Sequence, residues 1–138
     1  MYTPKYFTLK EFIRSSTAER LKIDNTPSFT VVNNLLRLCA LVLDDARMKL
    51  DRPIIVNSGY RCIELNRRVG GVYNSQHLTG LACDISCSDN RLLFDILAGN
   101  PNIDQLLYEH SGKSTWIHVS ITRYGGTPRR YINDNYRV

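Results

Sequence analysis

The chain has 138 residues, 43% of them apolar and 22% charged, the balance of an ordinary globular protein. Disordered, collagen-like and coiled-coil readings fail on those numbers, and the length fits one compact domain over residues 1–138. Lys and Arg number 18 against 13 Asp and Glu, a net charge of +5 that suits an anionic polymer but is too small and dispersed to imply nucleic acid. The surplus gathers late, where Arg123, Arg129, Arg130 and Arg137 are opposed only by Asp134, and reads as a solvated positive face.

Residues 1–6 lack the apolar stretch of a secretory leader, and nowhere does the chain reach the ~18 consecutive apolar residues of a membrane span. The expectation is a soluble monomer with no export signal of its own. Cys39, Cys62, Cys83 and Cys87 form no C-x-x-C pair and are expected as reduced, buried thiols.

In chain order, Thr8-Leu9-Lys10-Glu11 is a capping box that opens a short helix with Phe12 and Ile13 on its buried side. Ser16 or Thr17 caps a second turn through Leu21, and Asp24-Asn25-Thr26-Pro27 is a loop by its turn chemistry. From Thr30 to about Leu50 runs the central core helix, with Leu35, Leu38, Val42 and Ala46 at three- and four-residue steps and Leu36, Leu41 and Leu43 broadening the stripe. After Pro53 comes a short β-branched strand to Ser58, then the turn Gly59-Tyr60-Arg61. A helix over Ile63 to Val69 stops at Gly70-Gly71.

Ala82 to Ser86 reads as a strand and Asn90 to Ala98 as a helix. Ile103 to Glu109 and Thr115 to Ile121 are strands joined by the turn-rich residues 111–114, and a last strand spans Arg129 to Ile132. Helices first and then mostly antiparallel strands define an α+β fold, a small sheet packed against N-terminal helices.

Two of the 3 histidines stand in unusual company. Strand alternation puts Asp84 on the face opposite Cys83 and Ile85, and Trp116, His118 and Ser120 on the face opposite Ile117, Val119 and Ile121. If both strands share a sheet, Asp84 and His118 emerge on one side, where His77 on the preceding loop can close over them. Two imidazoles and a carboxylate with an open fourth position suit a catalytic zinc, which lowers the pKa of bound water towards ~7. The same spacing also fits two histidines and a capping aspartate with no chemistry between them.

Ser75-x-His77-x-x-Gly80-x-Ala82-x-Asp84, preceded by Ser58-Gly59-Tyr60-Arg61 and followed by Trp116-Ile117-His118-Val119, resembles the zinc D-Ala-D-Ala carboxypeptidase family. The likeness is to its compact single-domain members from bacteria and phages, and it includes Phe7-Thr8-Leu9-Lys10-Glu11-Phe12. The resemblance implies a D-Ala-D-Ala carboxypeptidase/hedgehog-like fold and a zinc peptidase acting on peptidoglycan stem peptides, as a carboxypeptidase or an endolysin-type endopeptidase. It implies His77, Asp84 and His118 as Zn2+ ligands and Arg61 as the group that polarises the scissile carbonyl or steadies the oxyanion. Ser75 is then a pocket or positioning residue, and Gly80 and Ala82 are small so that backbone can approach the site. With no leader expected, release by lysis or delivery by another route is the expectation for reaching the wall.

One departure stands out. Many members carry a carboxylate three residues before the last histidine, where this chain has Thr115. The nearest substitute is Glu109. If the hairpin pairs His110 with Thr115 and Glu109 with Trp116, then Leu107, Glu109, Trp116 and His118 share a face, and Glu109 is diagonal to His118. Glu109 is therefore the expected general base, His110 a turn residue, and Trp116 either a substrate contact or a cover for the sheet. Tyr60 and Tyr73 are candidate pocket walls, and nothing singles out Asp104 or Gln105. A non-catalytic, metal-binding wall module on the same fold is the alternative that Thr115 favours.

Overall fold

The computed structural model describes residues 1–135, so the expectation for Arg137 lies outside the described residues. Thr8 and Glu11 form the capping box at the start of α1 (Leu9–Ile13), and the Ser15 hydroxyl accepts the Ala18 N–H to open α2 (Ser16–Leu21). The central helix begins as α3 (Phe29–Leu38), passes through a π turn at Cys39–Leu43 and continues as α4 (Asp44–Leu50). Periodicity located this rod but not its π turn. Leu35, Leu38, Val42 and Ala46 are all buried, whereas Leu41 is only half-buried.

A five-stranded sheet follows, built from β1 (Ile55–Ser58), β2 (Ala82–Ser86), β3 (Gln105–Ser111), β4 (Ser114–Ser120) and β5 (Tyr131–Asp134). Its order is β1-β2-β4-β3-β5, antiparallel throughout except for the parallel β3–β5 pair. Helix α5 (Ile63–Arg68) and a 3₁₀ turn (Gln76–Thr79) lie between β1 and β2, and α6 (Asn90–Ala98) leads towards β3. The architecture is α+β with a mostly antiparallel sheet, as the order of elements requires.

The sheet has one dry face. Cys83, Ile85, Leu106, Tyr108, Ile117 and Val119 join Leu35, Leu38, Val42, Leu93 and Leu97 in a single core cluster. By the period of two, the intervening residues Asp84, Leu107, Glu109, Trp116 and His118 occupy the other face. A helix stripe and one strand face thus supply the burial, and the opposite face is left for polar groups.

Several boundaries differ from the sequence expectation. Ser111 pairs with Ser114, so the β3–β4 turn has only Gly112 and Lys113 at its tip, and His110 lies in the strand rather than the turn. β5 begins at Tyr131, because Arg130 takes a left-handed conformation with φ 57° that breaks the extended run after Arg129. All four cysteines are free, but Cys62 and Cys87 are only half-buried, and the Cys62 sulfur accepts the Leu65 N–H at the start of α5. Burial pushes the Cys39 thiol up to about 12 and raises that of Cys83 as well, which keeps both protonated and inert.

Candidate metal centre

Asp84 and His118 are paired residues of neighbouring antiparallel strands, in a rung that continues to Leu107 on β3. The Asp84 Oδ1 lies 3.0 Å from His118 Nδ1 and 3.3 Å from His77 Nε2. His77 is brought over this rung by the 3₁₀ turn, which opens with the Ser75 hydroxyl accepting the His77 N–H at 3.1 Å and ends at Gly80. Gly80 has φ 75°, and a Cβ there would sit 2.8 Å from the Val31 carbonyl oxygen, so the turn closes against α3 only because that position has no side chain.

The His77 ring is 3% exposed, and its Nδ1 lies 2.7 Å from the Gly59 carbonyl oxygen. An N–H donor is needed there, so the proton resides on Nδ1 and the Nε2 lone pair faces Asp84. The Arg61 N–H in turn donates to the His77 carbonyl at 3.0 Å, lacing residues 59–61 and His77 together in both directions. Buried Asn25 secures the same turn through the carbonyls of Ile13 and Tyr60 and the N–H of Cys62. Sequence reasoning treated Asn25 as a loop residue, because its turn chemistry masks its support of the site.

One donor atom from each of His77, Asp84 and His118 lies within 4.8 Å of the others. Tetrahedral zinc with ligands at ~2.0–2.2 Å holds neighbouring donors ~3.3–3.6 Å apart, close to the 3.0 and 3.3 Å that separate Asp84 from the two histidines. The donor set therefore fits zinc. His118 Nε2 is buried with no hydrogen-bond partner among the described residues, consistent with Nδ1 being the nitrogen turned to the cluster. Burial alone would raise the Asp84 pKa, but the two imidazoles beside it, His118 first and then His77, outweigh it and hold the carboxyl below the usual range.

The cluster forms the floor of a cleft of about 670 Å³. Arg61, Ser75, Glu109 and Trp116 line it together with Gln76, Gln105 and Arg129. Glu109 pairs with Trp116, and both share the His118 face. Arg61 is half-buried, its Nη2 lies 3.5 Å from the Ser75 hydroxyl and its Nε has no hydrogen-bond partner among the described residues. Desolvation lowers the Arg61 pKa and Asp84 partly offsets this, which leaves a guanidinium that stays charged. Thr115 faces the other way: its hydroxyl accepts the Asn90 Nδ2 at 2.8 Å, at the start of α6 behind the sheet. Tyr60 and Tyr73 are not among the walls of this cleft, and Tyr73 is 89% exposed.

The late arginines are more than a solvated face. Arg129 pairs with buried Asp104, which also accepts from Gln76, and Arg130 donates to the carbonyls of Asn100 and Ala98. Neither Asp104 nor Gln76 carried a signal in the sequence, since the pairing depends on chain segments that only the fold brings together.

A mostly antiparallel sheet backed by helices thus carries a His-Asp-His cluster in a polar cleft, a donor set suited to one zinc ion with an open fourth position. The chain belongs to the M15 peptidases, whose family pattern matches residues 5–120. It is also similar to the zinc D-Ala-D-Ala carboxypeptidase of Streptomyces albus G, 49% identical over 35 residues. That stretch is 25% of this chain and only 14% of the Streptomyces protein. Zinc is the cofactor that the family and the donor set define.

Proposed function

We propose that the protein is a zinc-dependent peptidase that hydrolyses amide bonds in peptidoglycan stem peptides. The observation that carries this reading is the convergence of His77, Asp84, His118 and Glu109 on one cleft. His77 through Nε2, Asp84 through a carboxylate oxygen and His118 through Nδ1 would hold the ion. Bound there, zinc supplies Lewis acidity that polarises a carbonyl and acidifies water.

The chain supplies the rest. Glu109 accepts the proton of the attacking water and returns it to the leaving amine, which a side chain on the face of His118 can do without leaving the cleft. Arg61 offers charged donors to the oxyanion, and Ser75 steadies both Arg61 and the His77 turn. Trp116 gives the substrate an apolar wall beside Glu109. Because Thr115 is committed to Asn90 on the far face, Glu109 takes the role of base.

The test is mass spectrometry of peptidoglycan and of synthetic stem peptides after incubation with the zinc-loaded protein. New amine-terminated fragments are expected, and their masses identify the bond cut and separate carboxypeptidase from endopeptidase action. Binding to peptidoglycan without release of any fragment would instead establish a non-catalytic wall-binding module.

A further inference from the structure

The match to the M15 peptidases ends at residue 120, yet a wall of the cleft comes from beyond it. Arg129 lines the same cavity as His77, Asp84, Glu109 and His118. Its backbone N–H donates to Asp104 Oδ1 at 2.8 Å, its Nε to the same oxygen at 3.1 Å, and its Nη2 to Oδ2 at 2.8 Å. Asp104 is 3% exposed, whereas the Arg129 side chain is 62% exposed. The carboxylate is thus the fixed end of the pair and the guanidinium the presented end.

Other contacts hold the fixed end. Gln76, the neighbour of His77, donates from Nε2 to Asp104 Oδ2 at 3.0 Å. The Tyr131 N–H donates to the Asp104 carbonyl at 2.9 Å, so β5 leaves the cleft directly after the arginine. Between them Arg130 adopts φ 57° and is clamped by the carbonyls of Asn100 and Ala98. A left-handed non-glycine residue is kept only where its surroundings enforce it.

The Arg129 end of the pair faces the cleft, and β5 is already held by its backbone pairing with β3. What the arrangement does supply is orientation. Nε and one Nη2 hydrogen are engaged by Asp104, and Nη1 has no hydrogen bond among the described residues. Nη1 and the second Nη2 hydrogen form a fork that matches a carboxylate. Because Asp104 has already restricted the side chain, little rotamer entropy remains to be lost on binding.

We propose that Arg129 is a specificity-determining residue that binds a free carboxylate of the substrate peptide. This rests on the peptidase reading above and adds the substrate class, an anionic peptide. The carboxylate is either the peptide's C-terminus or an acidic side chain.

The test uses the zinc-loaded protein and three forms of one stem pentapeptide ending in D-Ala–D-Ala: unmodified, amidated at the C-terminus, and amidated on the glutamyl carboxylate. In the wild type one of the two amidations is expected to lower kcat/KM about tenfold, chiefly through KM, and thereby identifies the carboxylate. Arg129→Gln is expected to reduce that preference to about unity while zinc content is kept. Arg129→Lys retains the ion pair with Asp104 but loses the fork, and is expected to reduce the preference about threefold. It decides the matter if Arg129→Gln does not fold. Equal cleavage of all three peptides by the wild type, or a preference that survives both substitutions, overturns the role of Arg129 and leaves the peptidase reading standing. Cleavage of none of the peptides, nor of peptidoglycan, by the wild type defeats that reading and this inference with it.

Discussion

Asp84 and His118 are direct cross-strand partners, and the Asp84 oxygen that meets His118 Nδ1 at 3.0 Å also meets His77 Nε2 at 3.3 Å. Three donors from two strands and a 3₁₀ turn therefore converge on one point above the sheet. Removing any of them leaves too few ligands for tight zinc binding. His77→Ala, Asp84→Ala and His118→Ala are each expected to drop zinc from about one per chain to a small fraction of that. Elemental analysis after gel filtration measures it. EDTA is expected to abolish hydrolysis, and added zinc to restore it.

Glu109 is on the same face as His118 but is not one of the three clustered donors. Glu109→Gln keeps the side chain's size and removes its ability to accept a proton. Zinc content is expected to stay at the wild-type level while kcat falls about 10²–10⁴-fold. Hydrolysis at the wild-type rate in this variant would show that Glu109 is not the base.

Arg61 reaches Ser75 and stands next to the turn that orients His77. Arg61→Ala is expected to retain zinc and to slow hydrolysis about 10²–10³-fold, the usual loss for a removed oxyanion donor. Single-turnover kinetics beside a zinc assay separate this from loss of the metal.

Gly59 links the N-terminal helix to the metal centre. The Tyr60 N–H donates to the Phe12 carbonyl at 2.7 Å, and a Cβ on Gly59 would lie 2.7 Å from the Phe12 Cα. Backbone cannot move aside as a flexible side chain can. Gly59→Ala is therefore expected to cost about 1–3 kcal/mol in urea unfolding. It should also weaken zinc retention, because the Gly59 carbonyl fixes the His77 ring.

Asp104 ties acid stability to the Arg129 wall. The Arg129 hydrogen bond, with help from the Gln76 amide, holds its carboxyl below the ordinary value of 3.8 despite desolvation. A group with a lowered pKa in the folded state stabilises the fold above its unfolded value. That stability is lost as the pH falls through the folded value. Metal-free wild type is thus expected to lose stability below about pH 4 more steeply than Asp104→Asn, as read by urea midpoints across that range.

The legible parts of this chain were those governed by short repeats. Alternation in β2 and β4 already separated Asp84 and His118 from Cys83, Ile117 and Val119, and the observed hairpin pairing follows from a turn that ends at Ser111 and Ser114. The three- and four-residue steps of Leu35, Leu38, Val42 and Ala46 located the core helix. The rest depends on contacts between distant segments. A π turn leaves the apolar stripe nearly intact, so Cys39–Leu43 passed as ordinary helix. Nothing singled out Asp104 within its expected strand, because residue 129 is brought beside it only by the fold, and Asn25 gave no hint that it braces the turn holding Arg61.

The way His77 is propped has a consequence for the order of events during synthesis. Its ring is set by Gly59, which rests on Phe12, while its companion His118 arrives only with the second arm of the last hairpin. Two histidine donors therefore become neighbours only after residue 118 has left the ribosome and β4 has paired with β2. A small zinc finger folds because the ion gathers its ligands. Here strand pairing and the Gly59 carbonyl bring the ligands together, so zinc loading is expected to follow folding rather than to drive it.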